Sequence, residues 1–198
     1  VRGYTASTQK VYITSQTPIY VNITDSGTDP CIVGSLHARI GIWYDGTWNY
    51  TWYNSTTSPI NLTIYLSEEC IHYLNITVYD DLGNIAYDNE TFYVDNTPPV
   101  ITKEIGNPNH SVDGDIFITS STPIWVNATD AGLCTVDSVD INVSIYSFQA
   151  GEWTYYETHV ESGTASIGPI YLPEECEHWI NITATDDLGN TCLLYTSD

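Results

Sequence analysis

Cationic side chains are scarce in this chain: four Lys and Arg face 25 Asp and Glu across 198 residues, for a formal net charge of -21 at pH 7. The acids occur at an ordinary frequency, so the imbalance comes from cations that are missing rather than acids that were added. With no basic surface to neutralise phosphates, nucleic acid is excluded as a natural partner, and anionic membrane surfaces are disfavoured for the same reason. No run of about 18 apolar residues occurs, so no membrane insertion is expected. Nor is there an N-terminal signal peptide, which reads the chain as a mature or excised piece. Helical periodicity is missing throughout. So are the G-x-S-x-G, H-E-x-x-H, P-loop and dinucleotide fingerprints of common catalytic folds.

What is present in excess is asparagine followed by a hydroxyl residue. Asn-x-Ser/Thr sequons occur at Asn22, Asn49, Asn54, Asn61, Asn75, Asn89, Asn109, Asn127, Asn142 and Asn181, which uses ten of the fourteen asparagines. Such crowding reads as selected N-glycan acceptors, each of which must be reachable and stay solvated. Aromatics are also skewed, with 16 Tyr and 6 Trp against 3 Phe. These residues favour strands, and their polar tips tolerate water.

An internal repeat organises the chain. Ile13 to Gly27 (ITSQTPIYVNITDSG) recurs as Ile118 to Gly132 (ITSSTPIWVNATDAG), and Glu68 to Asn84 (EECIHYLNITVYDDLGN) recurs as Glu174 to Asn190 (EECEHWINITATDDLGN). The repeat implies two homologous domains, 1-96 and 97-198. Within each, apolar and polar residues alternate at the strand period, as in Ile19, Val21, Ile23 and in Ala38, Ile40, Ile42. Turn signals such as Asp45-Gly46 and Asp81-Leu82-Gly83-Asn84 separate the runs. The expected class is all-β, a pair of β-sandwiches.

These motifs resemble the tandem immunoglobulin-like domains of bacterial and archaeal surface proteins. That family ends its penultimate strand in D-x-x-G-N, matched by Asp80 to Asn84 and Asp186 to Asn190, and links domains through V-D-N-T-P-P, matched by Val94 to Pro99. Dense N-glycosylation points to the archaeal members. The corner tyrosine of the family falls at His72 and His178, where a histidine bonded to backbone would replace it. In repeat register Asp198 aligns near Phe92, so the second domain is expected to lack its own last strand, and either further chain or a strand from a neighbour would fill the edge. Leu193 to Asp198 departs from the repeat and resembles translated adapter text, which puts the native origin of Cys192 to Asp198 in question.

The resemblance also bears on cysteines and acids. Cys31 corresponds to Cys134 and Cys70 to Cys176. Pairing within each domain, Cys31 with Cys70 and Cys134 with Cys176, is the default for a secreted chain. Strand direction in an immunoglobulin-like sandwich puts the two cysteines of one domain at opposite ends, whereas bridged Cα atoms lie within about 7 Å. In a rod of stacked domains Cys70 would meet Cys134, with Cys31 and Cys176 bonded to neighbouring units. The intradomain pairing stands as the rival if the loop from Thr28 to Gly34 folds back. Glu68, Glu69, Asp95, Asn96, Asp186 and Asp187 form an oxygen-rich set similar to the calcium-stiffened linkers of cadherins. Solvated acids or Asx-turns are the plainer account.

On a strand, the Asn and Thr of a sequon share one face and the residue between them points inward. Six acceptors carry an aromatic two residues earlier on that face: Tyr20, Trp52, Tyr73, Tyr87, Trp125 and Trp179. These are expected to lie beneath sugars. His37, His72, His110, His159 and His178 offer little to catalysis, since His72 and His178, like the acidic pair Glu174-Glu175, recur with the repeat and so belong to the fold of each copy. The expected function is non-enzymatic: a heavily N-glycosylated extracellular structural protein, a segment of a self-assembling surface filament, stalk or sheath. Its partners would be identical subunits or further repeats, with no cofactor beyond a possible calcium. An adhesin or carbohydrate-binding module using Trp43, Trp48, Trp52 and Tyr53 is the alternative.

Overall fold

The computed structural model describes residues 4–5, 10–25, 35–136, 138–163 and 166–196. All of its regular structure is strand, and no helix occurs among the described residues. The chain divides into two compact units, Val1–Asn96 with Gly132–Cys134, and Thr97–Ala131 with Thr135–Asp198.

The first unit holds β1 (Tyr4–Thr5), β2 (Val11–Ile13), β3 (Ile19–Ile23), β4 (Leu36–Tyr44), β5 (Thr47–Ser55), β6 (Ile60–Ile64), β7 (Cys70–Asp80) and β8 (Ile85–Val94). Its larger sheet has the order β1-β2-β8-β7-β4-β5, and β3 pairs with β6 in a second, two-stranded sheet. Among the described residues the one parallel pair is β2 with β8, matching Val11, Tyr12 and Ile13 to Phe92, Tyr93 and Val94. The core arises from alternation: Ile13, Ile19, Ile40, Ile64, Leu66, Leu74, Ile76, Phe92 and Val94 are buried together, and Ile23, Leu36, Ala38 and Ile60 continue it. Burying each such side chain stabilises by about 1.5–3 kcal/mol relative to leaving it in water.

The second unit holds β9 (Val100–Ile105), β10 (Asn109–Val112), β11 (Asp115–Ile118), β12 (Ile124–Thr129), β13 (Val139–Gln149), β14 (Glu152–Glu161), β15 (Ser166–Ile170), β16 (Glu177–Asp186) and β17 (Thr191–Thr196). One sheet has the order β15-β12-β9 and the other β14-β13-β16-β17, while β10 and β11 form a separate hairpin. Its core joins Ile124, Val126, Ile141, Val143, Ile145, Ile170, Ile180 and Ile182. Both units are immunoglobulin-like sandwiches. In each, the second and third long strands belong to opposite sheets and the penultimate strand lies between the third strand and the last.

One expectation is corrected. The second unit has a last strand of its own: β17 pairs antiparallel with β16 from Ala184↔Cys192 to Ile180↔Thr196. Glu174 lies 106 positions after Glu68, so Thr191 stands where Ile85 begins β8. Strand formation here needs only alternation, and Leu194 turns onto the core while Leu193 and Tyr195 stay exposed. Departure from the repeat sequence therefore leaves the strand intact.

Candidate functional site

Outer sheet faces carry eight of the sequons, while Asn49 pairs with Ile42 on the other side of β5 and Asn109 lies on the β10–β11 hairpin. All ten acceptor asparagines lie among the described residues and none is buried: Asn22, Asn49, Asn54, Asn61, Asn89, Asn109 and Asn142 are exposed, and Asn75, Asn127 and Asn181 half-buried. The intervening residues Ile23, Ile76, Ala128, Val143 and Ile182 are buried, so these sequons turn Asn and hydroxyl outward together. Two acceptor pairs meet across strands. Asn22 Nδ2 donates to Asn61 Oδ1 at 2.6 Å, and Asn75 Nδ2 donates to Asn89 Oδ1 at 2.7 Å. An amide nitrogen carries two hydrogens, so each donor keeps one for attachment.

Register arranges the outer face of the larger sheet in the first unit as rows. Trp48, Trp43 and Tyr73 form one; Tyr50, Gly41, Asn75 and Asn89 the next; then Trp52, Arg39, Thr77 and Tyr87; then Asn54, His37 and Tyr79. Trp48 and Tyr50 are near parallel with centroids 5.8 Å apart, and Trp43 meets Tyr73 at 4.9 Å. The Arg39 guanidinium lies 5.0 Å from the Tyr50 ring centre, a cation–π contact. Gly41 makes this possible, because a Cβ there would stand 2.7 Å from Tyr50 Cε1. Of the expected aromatic set, Trp43, Trp48 and Trp52 share this face, but Tyr53 turns inward against the core. Tyr50 and Arg39 were not singled out from sequence, although the spacing Trp48, Tyr50, Trp52 was the signal for one side of a strand.

In the second unit the corresponding rows are Tyr155, Tyr146 and Trp179, then Thr158, Ser144, Asn181 and Tyr195. Tyr146 contacts both Tyr155 and Trp179, with centroids 5.9 Å apart in each pair, and Trp179 contacts Tyr195 at 6.3 Å. Trp179 Nε1 and Asn181 Oδ1 are covered yet have no hydrogen-bond partner, as is Arg39 Nε in the first unit.

Cys70 and Cys134 form a disulfide with Cα atoms 4.9 Å apart. Neither is then available to Cys31 or Cys176, which removes the intradomain pairing. Cys31 lies outside the described residues, while Cys176 and Cys192 are free among those described. His72 is fully buried, its Nδ1–H donating to the Cys70 carbonyl at 3.1 Å and its ring stacked on Tyr44 at 4.8 Å. At this position a histidine thus bonds to backbone, as expected. In the second unit the same spacing brings donor atoms of Glu174, Cys176 and His178 within 4.8 Å of one another, beside a cavity of about 740 Å³. Thiolate, imidazole and carboxylate are zinc-type ligands. The sequence signal was the i, i+2, i+4 spacing, which the disulfide at Cys70 takes up in the first unit.

The acids expected to hold calcium have partners within their own units. Asp186 Oδ1 accepts from the backbone N–H groups of Leu188 and Asn190 at 2.8 and 2.9 Å, and Ser138 Oγ donates to Asp187 at 2.6 Å. Glu69 accepts from the Asn96 N–H at 3.3 Å, Asn96 Oδ1 accepts from the Ser15 N–H at 2.7 Å, and Glu68 faces His72 at 3.5 Å. The Asp95 N–H donates to the Ile13 carbonyl at 2.9 Å. In the first unit Asp80 forms the same turn as Asp186, and the Asn84 side chain and backbone hold its carboxyl below the usual range. His37 is pushed up by hydrogen bonds to Asn54 and then Asp81.

No protein-family model matches this chain, and no curated protein sequence matches it. Among solved structures it is similar to the FN1-FN3 domains of chicken CNTN1, at 9% identity and TM-score 0.34 over 94% of this chain and 62% of that one. It is also similar to latent PorU from Porphyromonas gingivalis, at 15% identity and TM-score 0.30 over 93% and 18%. A third similarity is to a Salmonella alpha-2-macroglobulin, at 7% identity and TM-score 0.32 over 94% and 16%. The chain spans less than two thirds of the length of each. At these scores the fold assignment rests on strand order rather than on the likenesses.

Proposed function

We propose that this is a non-enzymatic, N-glycosylated extracellular structural protein, a segment of a self-assembling filament, stalk or sheath on a prokaryotic and specifically an archaeal surface. The observation that carries it is that none of the ten sequon asparagines is buried and that eight stand on outer faces of the sheets of the two units. Repetition supports the structural reading, because the titratable motifs recur in each copy and serve its turns. The disulfide fits an oxidising exterior. The partners would be further copies of the same chain, through the free Cys176 and a Cys31 of the next copy.

The exposed aromatics of β5 are the observation favouring an adhesive module. Asn54, Asn75 and Asn89 on the same face favour a coat instead. Intact glycopeptide mass spectrometry on protein isolated from its native surface should find Asn22, Asn75, Asn127 and Asn181 occupied; bare asparagines at these four would end the coating reading. Electron microscopy of the same material should show ordered assemblies, and isolated monomers would remove the structural half.

A further inference from the structure

The rows of aromatic rings beside Asn75 and Asn181 call for an occupant. Resting on the glycoprotein reading, we infer that the outer face of the larger sheet in each unit is a carbohydrate cradle filled by the chain's own glycan, carried on Asn75 in the first unit and on Asn181 in the second.

Three observations converge on it. The two units build the same arrangement from different residues. A sequon asparagine on the penultimate strand sits beside a small residue of the third strand, Gly41 or Ser144, one row from an aromatic triplet. The triplets are Trp48, Trp43, Tyr73 and Tyr155, Tyr146, Trp179, and only the last pair, Tyr73 and Trp179, is equivalent in the sequence repeat. The rings are also wet: Trp48 is 41% exposed, Tyr50 50%, Trp52 54% and Tyr155 59%. Large aromatics placed together in water gain most by meeting a ligand with apolar C–H faces and polar edges, which describes a sugar ring.

The third observation is polar. Trp179 Nε1, Asn181 Oδ1 and Arg39 Nε lack any protein partner, and covered polar groups without one are costly and rare. Sugar hydroxyls both donate and accept, so a glycan bonded at Asn181 Nδ2 arrives with partners for the indole N–H and the amide oxygen two residues apart on one strand. In the first unit Arg39 Nη2 donates to Thr77 Oγ1 at 3.3 Å, and Thr77 Oγ1 donates to Asn75 Oδ1 at 3.3 Å. Thr77 thus links Arg39, whose Nε–H has no partner, to the attachment asparagine. The occupant is the chain's own sugar rather than a foreign one because its anchor stands inside the face, where a covalent glycan has a high effective concentration over the rings.

The test uses the full chain made in a host that glycosylates it. Acrylamide quenching and emission wavelength of tryptophan are compared among wild type, Asn75→Gln, Asn181→Gln and Asn109→Gln. Thr77→Ala and Thr183→Ala serve as second variants that abolish the sequon but keep the asparagine. Loss of the glycan at Asn75 or Asn181 should raise the quenching constant and shift emission to the red, because Trp43, Trp48 and Trp52 border the first site and Trp153 and Trp179 the second. Asn109→Gln removes a glycan from a hairpin without such a row and should leave both readings unchanged. Mass spectrometry showing no sugar on wild-type Asn75 and Asn181 would overturn the cradle, and bare Asn22 and Asn127 besides would overturn the coating reading with it. Occupied sites with quenching equal to that of the variants would overturn the cradle alone.

Discussion

His37 lies between two acceptor side chains, Asn54 and Asp81. Its Nδ1 lies 2.7 Å from Asn54 Oδ1 and its Nε2 2.9 Å from Asp81 Oδ1, so both ring nitrogens face acceptors and the doubly protonated imidazolium is favoured. The folded-state pKa is therefore raised above the unfolded value of about 6.5. By linkage the stability it contributes is complete below that value and is lost as pH rises through the raised one. His37→Gln should abolish this decline, seen as a flatter melting temperature between mildly acidic and alkaline pH; an identical pH profile in the variant would remove the role. The Asp80 and Asp186 turns were legible in the sequence because Asx chemistry is local. The His37 network joins two strands and the turn after β7 and was not, since nothing in the spacing of His37, Asn54 and Asp81 announces their meeting.

Hairpins divide into those whose turn the sequence announces and one whose turn it does not. Asp45-Gly46 and Asp113-Gly114 take positive φ at both positions, as the tight two-residue turn requires. Ala150-Gly151, joining β13 to β14, does the same with alanine at φ 54°. A left-handed alanine costs about 1–2 kcal/mol, and asparagine tolerates the region better. Ala150→Asn should thus raise the urea midpoint, with a gain of up to about 1 kcal/mol; a lowered midpoint would show that the turn relaxes in solution. The β10–β11 hairpin stands at the repeat position of the antiparallel β1–β2 pair. For β17 repeat comparison obscured a strand that alternation alone reveals. Pairing of β2 with β8 is non-local, and no residue in either strand encodes it.

For the whole molecule, the covalent framework is where sequence and structure meet most closely. The sequence left two pairings open, and the Cys70–Cys134 bond, spanning 64 residues, decides between them. Closing a loop of that size contributes about 2–4 kcal/mol, mainly by restricting the unfolded chain. Cys70→Ser and Cys134→Ser should each lower stability by about that amount in urea, and equal midpoints would mean that the bond is not formed in solution. Cys176 holds the position of Cys70, so non-reducing peptide mapping of native material should recover a peptide joining Cys176 to Cys31 of another copy. Recovery of Cys176 only as a free thiol would leave the assembly noncovalent.

The parallel pairing of β2 with β8 has a mechanical meaning. Val11 to Ile13 run in the same direction as Phe92 to Val94, so the entering end of β2 and the leaving end of β8 lie at opposite ends of their shared ladder. The Asp95 N–H on the Ile13 carbonyl and the Ser15 N–H on Asn96 Oδ1 lengthen it. Tension along the chain then slides one strand past the other, and all of these bonds share the load at once. An antiparallel pair pulled at one shared end would unzip bond by bond. Under such tension the ladder of the first unit is loaded in shear.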